Sequence, residues 1–253
     1  MKSKSAFLII SALCLASQSH AALTAGDIAI IGRTNNGTPD SFSFVALTSI
    51  TAGEVIYFTD NGWTGTQFRG ASATDGDGNE NLMKFEATTT IPIGTIIQTN
   101  TTSANYAFTV AGLVPGGTSG SFADLSQSTG GEQIYAFQGT ASLPLFNPTQ
   151  HLFVLDDTNG FENATNTNNG NITPGLSLGT TAVTVNFTTA GTIAFNTSII
   201  TSGTKAEWLT EIGKTANWSA GSLPSGSISV IPEPSAALLG AFGALGLLRR
   251  RRA

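Results

Sequence analysis

Cysteine occurs once in the 253 residues, at Cys14, and histidine twice, at His20 and His151. A single thiol makes no intramolecular disulfide, so this is not a small scaffold stapled by bridges. Beyond the N-terminal segment only His151 remains, so a histidine-rich metal centre is excluded. Charge is scarce as well: 11% of residues are Asp, Glu, Lys or Arg, with 11 basic against 16 acidic. Long apolar runs are missing. Ala6–Ala16 and Ser235–Leu248 are both shorter than the ~20 residues a membrane-spanning helix needs. The Gly-x-Ser-x-Gly spacing occurs once, at Gly175-Leu176-Ser177-Leu178-Gly179, but a nucleophile elbow needs a helix directly after the serine and no helix is predicted there.

What is present concentrates at the two ends. Lys2 and Lys4 precede the apolar stretch Ala6–Ala16, and Ser19-His20-Ala21 offers a small-x-small cleavage site. This order predicts a signal peptide over 1–21, cut between Ala21 and Ala22. Cys14 falls inside it, and Leu13 before it does not fit a lipoprotein site.

At the other end Ile231-Pro232-Glu233-Pro234 leads into the apolar run Ser235–Leu248 and then Arg249-Arg250-Arg251-Arg252. Each proline fixes φ and lacks a backbone donor, so the motif is extended and accessible, with the Glu233 carboxylate at its centre. Fourteen helical residues reach about 21 Å at ~1.5 Å each, short of a ~30 Å hydrocarbon core. Gly240, Gly243 and Gly246 share one helical face and allow close approach of another helix. The arginines hold that end on the cytoplasmic side. A plain tail anchor with a basic flank is the alternative.

The order Pro-Glu-Pro, apolar helix, Arg cluster resembles the PEP-CTERM sorting signal of Gram-negative bacteria, with Ile231 where that family commonly has valine. The resemblance covers about 231–252 and implies recognition by exosortase, a membrane-embedded cysteine protease, with cleavage near the motif. It implies export to the cell-envelope surface or extracellular matrix, transient inner-membrane anchoring through 235–248, and an association with exopolysaccharide and biofilm.

The two terminal segments hold six of the basic residues and one of the acids. Between them remain Arg33, Arg69, Lys84, Lys205 and Lys214 against fifteen acids, a net charge of about −10. Such a surface disfavours nucleic acid and anionic membranes and keeps the chain soluble.

The intervening region reads as β. Apolar and β-branched runs recur between Gly, Asn, Asp and Thr clusters. Strands are predicted at 27–31, 41–47, 54–59, 82–86, 95–99, 106–110, 133–137, 151–155, 182–187 and 192–195. In Ser-Phe-Ser-Phe-Val, Phe42 and Phe44 share a face. Thr51-Ala52-Gly53 predicts a hairpin between the strands on either side of it. Thr204-x-x-Glu207 is a capping box, followed by Trp208, Leu209 and Ile212 on one stripe and Gly213 as a stop. The expected architecture is all-β, a single β-sandwich-like domain over 22–218 with one short C-terminal helix. The Ser/Gly-rich stretch 219–230 reads as a flexible spacer to the sorting signal at 231–253.

Ala25-Gly26-Asp27-Ile28-Ala29, Phe44-Val45-Ala46-Leu47, Ile56 through Trp63, and Gly203 through Glu207 with Asn217-Trp218 resemble an uncharacterised β-rich module of secreted and surface proteins of environmental bacteria. The resemblance spans nearly the whole region and carries no functional residues with it.

Three local features bear on chemistry. Asp75, Asp77 and Asn79 alternate with glycine, as oxygen ligands of calcium loops do; a solvated acidic turn is the competing reading. Asp60-Asn61-Gly62-Trp63 suits a sugar-binding edge with the indole as platform, or equally a turn closed by a core plug. A Ser–His–Asp arrangement would need His151 with Asp156 or Asp157 and a serine that stays unidentified. The sequence therefore predicts a non-catalytic surface or matrix protein without a required cofactor, its partners being signal peptidase, exosortase and exopolysaccharide. A carbohydrate-binding module, calcium-assisted or not, is the alternative, and a secreted hydrolase the third reading.

Overall fold

A computed structural model describes residues 22–36, 40–69, 81–113, 125, 131–142, 145–158, 160–162 and 170–233. The expected signal peptide, the loop bearing Asp75, Asp77 and Asn79, and the tail from Pro234 onward lie outside the described residues.

The described strands, in chain order, are β1 (Ile28–Thr34), β2 (Ser41–Ala46), β3 (Val55–Thr59), β4 (Asn81–Ala87), β5 (Ile96–Gln98), β6 (Tyr106–Leu113), β7 (Gln133–Ser142), β8 (Leu145–Asp156), β9 (Ala182–Thr184), β10 (Thr192–Phe195), β11 (Gly203–Thr204), β12 (Trp218–Ala220) and β13 (Val230–Ile231). They form a five-stranded sheet in the order β12-β10-β1-β2-β5, a six-stranded sheet in the order β6-β4-β3-β7-β8-β9, and the small pair β11-β13. The protein is all-β, as its alternating apolar runs predict.

The two large sheets meet through aromatic rings. Phe42 and Phe44 of β2 face Phe58 of β3 at centroid distances of 4.9 and 5.1 Å, and Phe44 meets Phe85 of β4 edge-on at 5.3 Å. Period-two alternation puts both phenylalanines on one side of their strand, and that side is the core.

One helix, α1 (Lys205–Ile212), follows β11. Thr204 accepts from the Glu207 amide, and the Glu207 carboxylate accepts from the Thr204 amide at 2.8 Å, completing the predicted capping box. Trp208, Leu209 and Ile212 are its buried stripe.

Two expectations are corrected. Ile50–Glu54 does turn, but it joins different sheets: β2 pairs with β1 and β5, whereas β3 pairs with β4 and β7. Both flanking strands bury a face, and facing sheets satisfy both faces at once where a hairpin would leave them side by side.

The second correction is larger. Residues 219–230 are not a spacer but a strap across the first sheet. β12 pairs with β10 at one edge. The chain then crosses the outer face, where Gln98 Nε2 donates to the carbonyls of Leu223 and Pro224. It adds to the far edge beyond β5, with Ile96 N donating to Gly226 O at 2.9 Å and Ile228 N to Gly94 O at 2.9 Å. It ends in β13, parallel to β11. Gly32, Ser43 and Gln98 form one cross-strand row beneath it. A Cβ on Gly32 would meet Pro224 Cδ at 2.9 Å. Ser41 and Ser43, which alternation assigns to the outer face, are consequently buried. The folded unit therefore runs to Ile231, not to Trp218.

Candidate functional site

The outer face of the six-stranded sheet carries a second aromatic layer. Tyr57, Tyr135, Phe137 and Val154 alternate with the residues that face the main core, and Trp63 and Phe68 lie over them. Trp63 and Phe68 bridge each other across a tight loop, with Thr64 N donating to Gln67 O at 2.8 Å. The loop at 170–176 closes over this layer: Asn171 N donates to Trp63 O at 2.8 Å, and Tyr135 Oη donates to Asn171 O at 2.9 Å.

Trp63 is thus 4% exposed, wedged edge-on against Phe68 at 4.9 Å and His151 at 5.0 Å. Asp60 and Asn61 are fully buried. Asn61 Nδ2 donates to Thr59 Oγ1 at 2.8 Å, and the Asp60 carbonyl accepts from Gln133 Nε2. These three residues sit as turn and core plug, and Asp60 and Asn61 present no open edge to a sugar.

His151 and Asp156 lie five positions apart on β8, about 16 Å at a strand's ~3.3 Å rise. The two groups do not meet. Asp156 Oδ1 accepts from both the amide and the hydroxyl of Thr158, and burial raises its pKa. Asp157 faces the other way and pairs with Arg33, both 1% exposed. That pair spans the two sheets. Asp157 Oδ1 also accepts from the Glu132 amide, and Arg33 reaches Phe187 O at 3.3 Å. Burial lowers the guanidinium to about 10, opposed by the carboxylates of Glu132 and Asp40, so it stays charged at neutral pH. Removing one member would strand a buried charge, a cost of about 3–5 kcal/mol. Asp157 is a structural clamp, and the triad geometry is not assembled.

A cleft of about 750 Å³ opens beside the aromatic layer. Three segments remote in sequence line it: the 63–67 loop, the 147–151 arm of β8, and Pro174-Gly175. Trp63 and His151 form its inner wall, and Thr66, Gln67, Asn147 and Thr149 its mouth. Its described lining has no Asp, Glu, Lys or Arg. Desolvation pushes His151 down to about 4, so this wall too is uncharged at neutral pH. The indole N–H of Trp63 and Nδ1 of His151 have no hydrogen-bond partner among the described residues. Trp63 and His151 stand out in the sequence but Gln67 and Asn147 do not, because nothing local joins two residues eighty positions apart.

Among the described residues no three His, Cys, Asp or Glu are grouped to hold a metal ion, and no helix is long and apolar enough to cross a membrane. No family model, curated protein or solved structure matches the chain.

Proposed function

We propose that this chain is an exported, non-catalytic β-domain of the cell surface or extracellular matrix, delivered by a C-terminal sorting signal of the PEP-CTERM kind. The observation that carries the reading is the order Pro232-Glu233-Pro234, apolar run, Arg249–Arg252. Signal peptidase removes 1–21, exosortase acts at the motif, and 235–248 anchors the chain in the inner membrane only in transit.

Two structural facts support this. Leu23, two residues beyond the expected cleavage after Ala21, is 4% exposed in the main core, so the fold starts where the mature chain would. At the other end β13 stops at Ile231, and Pro232 and Glu233 are exposed. Ile231, Pro232 and Glu233 form one wall of a recess of about 290 Å³ opposite Leu47, Ile93 and Lys205. Pro232 and Glu233 therefore follow the folded domain without an intervening linker and are accessible.

The test is a triple replacement of Pro232, Glu233 and Pro234 by alanine in producing cells, followed by fractionation. The altered protein is expected to stay in the inner membrane with its tail uncut. Surface delivery at the unaltered level would contradict the proposal.

A further inference from the structure

The cleft beside Trp63 falls outside the sorting reading and does not depend on it. Its character is unusual for this molecule. The region between the two terminal segments carries fifteen acids, yet the cleft's described lining holds none, and no cation either. Polar groups at its mouth are amides and hydroxyls. The side-chain amides of Gln67 and Asn147, both on exposed residues, make no hydrogen bond to another described residue. Each offers two donors and an acceptor. The inner wall is made by Trp63 and His151, 4% and 7% exposed, the latter uncharged at neutral pH.

This chemistry selects its ligand by elimination. A charged ligand entering the cleft would shed water with no counter-ion among the described lining residues to replace it. A purely apolar one would make no use of the amides and hydroxyls at the mouth. An uncharged polyhydroxyl chain fits this lining, since its hydroxyls can pair with the amides and hydroxyls at the mouth. The volume also falls within the ~300–1,000 Å³ typical of ligand clefts. We infer that the cleft between the 63–67 loop, the 147–151 arm of β8 and Pro174-Gly175 is a binding site for a neutral oligosaccharide, with Gln67 and Asn147 as its hydrogen-bonding residues.

The proposal is tested by calorimetric titration of the full-length protein with cellohexaose, laminarihexaose, mannohexaose and chitohexaose, with hexagalacturonate as the charged counterpart. At least one neutral hexasaccharide is expected to bind, and hexagalacturonate is not. Replacing Gln67 and Asn147 together by alanine should weaken that binding roughly ten- to thirtyfold, the loss of two hydrogen bonds. Both residues are exposed, so the thermal midpoint should stay unchanged. Binding by none of the four sugars, stronger binding of hexagalacturonate, or unaltered affinity in the double variant would each overturn the assignment. None of these outcomes bears on export or sorting.

Discussion

At the scale of single residues, His151 is the most informative side chain. It is 7% exposed, against Trp63 at 5.0 Å and Phe68 at 6.0 Å, and burial holds its pKa near 4 instead of the ordinary 6.5. The folded chain thus binds fewer protons here than the unfolded chain between about pH 4 and 6.5. Stability from this residue is complete above pH 6.5 and is lost as the pH falls toward 4. Replacing His151 by phenylalanine keeps the aromatic contact and removes the titration. Thermal melts from pH 7 to pH 4 are expected to show the variant gaining on the unaltered protein step by step through that window. A constant difference between the two across all pH values would contradict burial as the cause. Asp156 works in the opposite sense: its raised pKa makes the folded state favour the proton, so its contribution falls as pH rises through that raised value.

Among elements, the strap over 219–231 separates what composition reveals from what it hides. Ten predicted strands and the capped helix are present because each is driven by its own pattern: alternation, β-branching, or the Thr204–Glu207 box. The strap has no such pattern. Its serines and glycines match a linker, and its order comes from backbone bonds to β5 and from carbonyls offered to Gln98 and Trp208. Those partners lie far away in sequence. Composition is equally silent on the chain's passage from one sheet to the other after β2, since turn residues do not say which strand comes next to which. Two glycines test the strap directly. Gly94 and Gly53 both have positive φ, +84° and +87°, but a Cβ on Gly94 would run into the Ile228 carbonyl, whereas one on Gly53 meets nothing within 4 Å. Alanine at Gly53 should cost only the backbone strain, about 1 kcal/mol. Alanine at Gly94 should cost clearly more and speed proteolysis between 221 and 229. Equal losses in chemical denaturation would show that the strap does not bear on β5.

For the molecule as a whole, the sequence predicts a domain between two terminal segments, and the structure moves one predicted boundary. Fold class was legible from periodicity alone. The candidate cleft was half legible: Trp63 and His151 stand out as rare residue types, while Gln67 and Asn147 acquire meaning only when three distant segments converge. The domain's end was misplaced by about thirteen residues, and the shift matters for sorting. With Val230 9% exposed and β13 paired to β11, the ordered domain reaches the residue before Pro232. Any cut that releases the tail must then fall at or beyond Pro232 if the strap is to stay in place. The central claim is that the functional protein is the domain alone, freed of both terminal segments. Intact-mass measurement of the protein recovered from the surface or medium of producing cells tests it most directly. The expected mass corresponds to a chain beginning at Ala22 and ending between Pro232 and the apolar run, plus any attached sugar. A surface protein that still carries Arg249–Arg252, or that ends before Ile231, would contradict it.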